Sequence, residues 1–589
     1  MKVTSRKDRM TKQAYRGRYL SKNNRHIPNS ERGDLAVIVA ILAVLLLSAI
    51  PLATYAATVN QLPLTRGSQD YQSALGAAES GVTDYLNRMN QIALNQAGNY
   101  WKYSASNLPP DGNGAFTGWV AVPGSTNEYF HYTPDASNTA STGIVYLTST
   151  GIALHGAQTQ TRTVKVALRT NGFLDYLLMT DTMMVDPSLA PNFDSAFNSA
   201  KAAATECGYK FSQPNDNAAG SPADSDSDSY SYDQNTTGPE RYTCYGLINY
   251  YGTGQIFNGP LMTNDMYYLY GTPQFNARVY SGSTTTSGYS SHPYWIDPQN
   301  AYFGMNSSDN PTFIHPGDPS HQPALVFPTN NSSLGNAAKA GGCIYYGPTS
   351  IVFLGSSMSV YSPETSSSAT NAGCTGSGNL PLPANGAIYV NSLPSGQSCP
   401  VNTQITVGGN SFDCSQGEVA VQGTITGGIT VGSYNNIYID GNLEYTNCGS
   451  SSSNDVLGLV AQSFVKVSSN FANDNITPDN CFSQPSTNPV IMAAILTLND
   501  SFEVQHFWDT SRGVLGTIYL DGSLAGKYAD IEGSFNNNGA TVSGYNTTYT
   551  YDPRLAYLTP PFFLSPVNSA WKTVSSVETV NPSGLPAIP

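Results

Sequence analysis

The chain of 589 residues carries 26 Lys and Arg against 40 Asp and Glu, a formal net charge of −14, with 54 Gly, 38 Tyr and only 11% charged residues. That balance argues against a nucleic-acid ligand, since phosphate binding needs clustered Lys and Arg. It suits an all-β extracellular protein better than a helical cytosolic one.

Ten basic residues, Lys2 to Arg32, open the chain with only Asp8 and Glu31 opposing them, so 16 basic and 38 acidic residues follow, a formal −22. The leader ends at an apolar run, LAVIVAILAVLLLSAIPLATYAA from Leu35 to Ala57. At about 1.5 Å per residue this covers the roughly 30 Å hydrocarbon core of a bilayer. With its basic flank it reads as a membrane anchor with a cytoplasmic N-terminus, and residues 34–57 are expected to span. The competing reading is a cleaved secretory signal, suggested by Pro51 and the small residues Ala53, Ala56 and Ala57.

Tyr71, Leu75, Ala78, Val82, Tyr85, Leu86 and Met89 recur at spacings of three and four, which predicts a helix with one buried face. The stretch Ser73–Val82 reads SALGAAESGV. With the preceding apolar run it resembles the N-terminal region of type IV pilin-like proteins, particularly minor pilins of the PilX kind. The resemblance implies a basic leader, a membrane-spanning half-helix, an amphipathic half-helix and a β-rich head. It also implies prepilin-type cleavage, for which Gly33 and Asp34 are the candidate positions. In major pilins a Glu stands at the fifth mature position; here that residue is Ile38. No intramembrane carboxylate is then available to pair with a neighbouring subunit's N-terminal amine.

Beyond Trp101, WVAV at Trp119, YFHY at Tyr129, GIVYL at Gly143 and TRTVKVAL at Thr161 read as four or five strands. Residues 58–170 are thus expected as the amphipathic helix plus a small β domain, the helix packed on the sheet. The segments GFLDYLLMTDTMMVDP from Gly172 and GQIFNGPLMTNDMYYLYGTPQFNARVYSG from Gly254 resemble exported bacterial pilin-like proteins of largely unassigned function. Asp175, Asp181 and Asp186 read as turn and capping residues, because no His or Glu accompanies them. Residues 218–240 are polar and repetitive, a surface loop expected to be disordered. Asp224, Asp226 and Asp228 within it have calcium-loop spacing, but Ser229 and Asn235 stand where an EF-hand needs Gly and Glu.

From Gly386 onward, short β-branched runs are spaced by Gly and Asn, among them EVAVQGTITGGITVGSYNNIYIDGNLEY from Glu418. They predict successive turns of a right-handed parallel β-helix, with a β-sandwich as the alternative. The fold class is therefore mainly β: an N-terminal transmembrane and amphipathic helix, a small α+β pilin-like domain, and a large β-rich domain over 171–566. The strap YDPRLAYLTPPFFLSP, Tyr551–Pro566, is expected to cap the last rung, and 567–589 to trail off as a disordered tail.

The eight cysteines are Cys207, Cys244, Cys343, Cys374, Cys399, Cys414, Cys448 and Cys481, all beyond the anchor and none in a CxxC. An even count in an exported chain favours disulfides. Spacing alone leaves connectivity open; nearest-neighbour pairing would close local loops.

The pectinase-type residue sets, HExxH, GxSxG and a Gly-rich phosphate loop are all missing, and no catalytic, cofactor or metal residues are assigned. One segment, SFEVQHFWD at 501–509, places Glu503, His506 and Trp508 where a carboxylate and aromatic platforms could grip a sugar ring. The function expected is a membrane-anchored surface protein in pilus assembly or adhesion. Its partners would be the membrane, other pilin-like subunits and a glycan or other surface ligand. The alternatives are an anchored carbohydrate-active enzyme and a solitary surface protein that never polymerises.

Overall fold

The computed structural model describes residues 67–90, 118–155, 158–192, 247, 249, 251–269, 271–282, 295–296, 310–366, 371, 374–399, 404–407, 410–448, 450, 452–468, 471, 488–535, 541–567 and 569–588. The leader 1–33, the expected span 34–57, Gly33, Asp34, the loop 218–240 and Cys207, Cys244 and Cys481 lie outside these residues. Among the described residues no helix is long and apolar enough to cross a membrane. The chain divides into two compact units, Met1–Gln72 and Ser73–Pro589. Of the first unit only 67–72 are described, the opening of helix α1 (67–90).

Within the second unit, α1 lies on a five-stranded antiparallel sheet. In spatial order its strands are β1 (Val120–Ala121), β2 (Glu128–Asp135), β3 (Ile144–His155), β4 (Gln158–Thr170) and β5 (Trp571–Thr579). Ala78, Val82, Tyr85 and Met89 are buried against Phe130, Tyr132, Val145, Leu147, Val164, Val166 and Leu168. That is the face the three-and-four spacing marks out. The small residues of SALGAAESGV explain how closely helix and sheet approach. The Ser149 hydroxyl donates to the Ala78 carbonyl at 2.7 Å. A Cβ built on Gly151 of β3 would stand only 2.2 Å from the Ala74 carbonyl oxygen and the Ala78 nitrogen.

Strand β5 corrects the expectation of a disordered tail over 567–589. It pairs antiparallel with β4 from Trp571 opposite Thr170 to Thr579 opposite Thr163. An open β4 edge would present unpaired backbone groups, which β5 satisfies. The Asn90 side chain on α1 fixes its start, accepting from the Trp571 nitrogen at 2.6 Å and donating to its carbonyl at 3.1 Å.

Between β4 and β5 the chain leaves the sheet, and everything from Asn171 to Ala570 is inserted there. The Asn171 nitrogen donates to the Ala570 carbonyl at 2.7 Å, so exit and return are side by side. Asp175 ties both ends: it accepts from the Gly172 nitrogen at 2.9 Å, pairs with Lys572 at 2.7 Å and pairs with Arg169 of β4.

The insert is mainly β, and the ladders joining its successive turns are parallel. One ladder runs from Cys343–Tyr346 through Ala387–Asn391, Gly428–Ser433, Val456–Ala461 and Val490–Thr497 to Val514–Tyr528. It then continues, still parallel, into Leu178–Thr182, Leu261–Thr263, Val279–Ser281 and Ser320–His321. Spatial order is thus a permutation of chain order. The chain enters mid-stack at Leu178, winds to one end, returns outside to the other end and winds back until Leu524 meets Leu178. A second ladder stacks Thr349–Gly355, Val419–Ile425, Ile437–Tyr445, Val465–Val467 and Phe502–Val504. Alternate residues such as Val419, Val421, Ile437, Ile439, Val465, Val467, Phe502 and Val504 share one continuous core, as period-2 strands require.

The first ladder also has an apolar outer face, made by Met179, Met262, Tyr389, Val456, Val460 and Leu496. Two passages of chain cover it. The returning segment carries Leu325, Phe327 and the helix Ser332–Gly341 with Leu334 and Ala338; the closing segment brings Leu555 and Phe563. The closing segment does not cap the last rung as expected. Pro561 packs over Gly386 and Gly428, and Phe563 over Gly458, so it runs along the side of several turns. The reason is that the exposed apolar area is on that face, where each buried side chain contributes about 1.5–3 kcal/mol.

Disulfides Cys343–Cys374 and Cys399–Cys414 staple two local loops, as nearest-neighbour pairing anticipates. Cys448 is disulfide-bonded as well.

Candidate functional site

The sequence-selected residues do not converge. Glu503 is 2% exposed, and its Oε1 lies 2.5 Å from the Lys466 ammonium on the neighbouring strand. Lys466 in turn sits 4.1 Å from the centre of the Phe464 ring. Burial raises the Glu503 pKa and Lys466 opposes that rise. His506 is exposed, with φ at 59°, and meets Trp508 edge-on at 5.6 Å. The structure therefore brings His506 and Trp508 together on the surface and leaves Glu503 within a buried ion pair. Asp181 likewise accepts from Asn264 at 2.7 Å and pairs with Lys527, while Asp186 caps a turn through the Ser188 nitrogen at 2.7 Å. Cys399, Asp413 and Cys414 cluster closely, but both sulfurs are in the disulfide, which removes them as thiolate ligands.

A cleft opens beside the segment 501–509, where Glu503 bridges to Ile531. Ala529 to Ile531 form the next turn beside Phe502–Val504: the Ile531 nitrogen donates to the Phe502 carbonyl at 3.0 Å and the Val504 nitrogen to the Ile531 carbonyl at 2.9 Å. On this extended backbone Asp530 and Glu532 project to the same side, because extended side chains alternate. The two carboxyls interact with one another and both engage the Tyr549 hydroxyl, which donates to Glu532 Oε1. The Asp530 backbone carbonyl accepts from Asn249 Nδ2 at 3.2 Å.

The electrostatics follow from this geometry. Burial raises both carboxyl pKa values, and for Glu532 the Asp530 charge raises it further. Two carboxylates in hydrogen-bond contact inside a poorly solvated site share a proton. The same surroundings keep Tyr251 and Tyr549 neutral, burial first and then the nearby carboxylates. Asp530 Oδ1 is buried without a hydrogen-bond partner, in a residue 6% exposed.

These groups line a cavity of about 210 Å³ together with Val185, Gln255, Phe257, Phe507, Ser534, Phe535 and Thr547. A hollow of about 510 Å³ shares Gln255, Phe257, Phe535, Thr547 and Tyr549 with it, so the two are parts of one cleft. Phe535 stands at the lip, 49% exposed. Among the described residues lining it there is no Lys, Arg or His. Two hydrogen-bonded carboxyls are closer than the roughly 5–9.5 Å that separates the acid and its partner in glycoside hydrolysis. The arrangement is that of a proton-sharing pair.

Sequence reasoning missed Asp530 and Glu532. The signal available was the D-x-E spacing in KYADIEGSF, which puts two carboxylates on one side of any extended segment. Of the segment that was selected, Phe507 reaches the cleft.

No protein-family model and no curated protein matches the chain. Among solved structures, the competence-associated pilin ComZ from Thermus thermophilus aligns over 87% of this chain and 98% of its own, at 12% identity and a TM-score of 0.21. A likeness of that size is too slight to argue from.

Proposed function

We propose that the chain is a membrane-anchored, type IV pilin-like surface protein whose helix-and-sheet module displays a parallel β-helical head for adhesion or pilus assembly. The observation that carries the reading is the insertion. A helix with the SALGAAESGV face is laid on an antiparallel sheet, and a 400-residue insertion leaves and rejoins it between adjacent strands at Asn171 and Ala570. The parallel ladders favour a β-helix over the β-sandwich alternative.

The leader and apolar run support anchoring, and Ile38 leaves filament incorporation to be tested. Mass spectrometry of the mature N-terminus, with membranes and sheared filaments assayed separately, does so. A start at Asp34 and presence in both fractions is expected. A start near Thr58 with a soluble product would overturn the reading.

A further inference from the structure

The geometry points to the cleft between Asp530, Glu532 and the rings of Tyr251, Phe257, Phe535 and Tyr549 as a binding site for an organic ammonium group. The group would be a primary or methylated amine on an alkyl stem or an amino sugar. The site goes beyond the pilin-like reading and holds whether or not the chain polymerises.

Three observations carry it. First, the described lining sets Asp530 and Glu532 among aromatic and neutral polar side chains with no basic one, so no described side chain in the cleft brings a positive charge to the pair. Second, Asp530 Oδ1 is a buried acceptor with no donor, which costs about 1–3 kcal/mol unless a ligand supplies one. Third, Val185, Phe257, Phe507 and Phe535 give the cleft an apolar wall beside its polar one.

An ammonium answers all three. It brings up to three N–H donors, a charge that aromatic faces attract, and a stem that the apolar walls cover. The alternatives fit less well. Calcium takes six to eight oxygen ligands, and here Gln255 Oε1 is already engaged by the Gly252 nitrogen at 2.6 Å. A neutral sugar supplies donors but leaves the negative charge of the pair unpaired.

Binding has a proton balance. Burial raises both carboxyl pKa values, and the Asp530 charge raises that of Glu532 further; a seated ammonium favours the ionised forms, so a proton held by the pair passes to solvent. Up to one proton is released per ammonium bound.

The test is titration calorimetry on the full-length protein, repeated in buffers of different ionisation enthalpy between pH 6 and 7. The probes are Nα-acetyl-lysine amide, glucosamine, N-acetylglucosamine and calcium chloride. Either amine, or both, should bind with proton release, and the preferred one distinguishes a lysine side chain from an amino sugar as the source. Asp530→Asn should weaken binding at least tenfold and abolish the release. Phe535→Ala, at a lip position 49% exposed, should weaken it several-fold with the release intact, which keeps the test valid if Asp530→Asn misfolds. Equal binding of N-acetylglucosamine, binding of calcium alone, or binding of no probe would each overturn the proposal.

Discussion

Replacing Gly151 tests how α1 is held. An ideal Cβ there would stand 2.2 Å from the Ala74 carbonyl oxygen and the Ala78 nitrogen, where ordinary contact begins at 3.4 Å. The atoms it meets are helix backbone and cannot rotate away, so α1 must recede by about 1.2 Å. A gap of 0.5–1 Å already forfeits a quarter to a half of each dispersion contact, and the contacts at stake are those of Ala78, Val82 and Tyr85 with the sheet. Overpacking costs about 1–3 kcal/mol in general, and Gly151→Ala should fall at about 3 kcal/mol. The control is Gly76→Ala on the exposed face of the same helix, where nothing lies within 4 Å of a new Cβ. It should stabilise by about 0.5–1 kcal/mol through helix propensity. Hydrogen exchange of the α1 amides, read beside urea unfolding, separates them. Equal or smaller protection loss in Gly151→Ala than in Gly76→Ala would refute the close-packing argument.

Stability should fall as pH rises from about 4 to about 8. Burial, then the Asp500 charge, pushes Asp186 up to about 8, and burial pushes Glu418 up to about 7 and Asp440 to about 6. The folded chain therefore keeps protons that the unfolded chain releases above pH 4, and each contribution is lost through its folded pKa; a melting temperature that rises across this window would contradict it. Replacing Cys343 and Cys374 by Ala opens a loop with a sequence separation of 31 and should cost about 3–4 kcal/mol by loop entropy, read by urea unfolding under non-reducing conditions. Ending the chain at Ala570 removes β5 and the Asn90 contacts to Trp571; exchange should rise in β4 and the last turn of α1 while the stack stays protected. A uniform rise would refute the separation.

Local patterns were legible and long-range order was not. The α1 face and the strands from Val120 to Thr170 announce themselves by period. Trp571–Thr579 escaped because WKTVSSVET is an edge strand, largely exposed, whose partner lies some 400 residues earlier. Glu503, His506 and Trp508 looked convergent in sequence, yet Glu503 in fact belongs to a buried pair across the ladder with Lys466. No local signal reveals a neighbour on the next rung.

The cleft could not have been read from any contiguous segment, for a reason the topology supplies. The permuted stack has one seam, where Leu524 pairs with Leu178 and the Ala529 nitrogen donates to the Met184 carbonyl at 3.0 Å. Within a half, each turn is followed in sequence by the next and the turns share one core. At the seam, turns distant in sequence must fit. Val185, Asn249, Tyr251, Gln255 and Phe257 come from the half that winds away from Leu178, and Phe507, Asp530, Glu532, Thr547 and Tyr549 from the half that winds back. The cavity and its unpartnered carboxylate oxygen lie at this join. Changes that loosen the seam should therefore reach the cleft before they reach the interior of either half. Leu524→Ala tests this: it deletes a core side chain 1% exposed, for about 2–5 kcal/mol. Exchange should accelerate first at Ala529, Ile531 and Tyr545, whose amides span the join and the cleft wall. Acceleration beginning instead among Val419–Ile425 would mean that the seam is no weaker than the turns it joins.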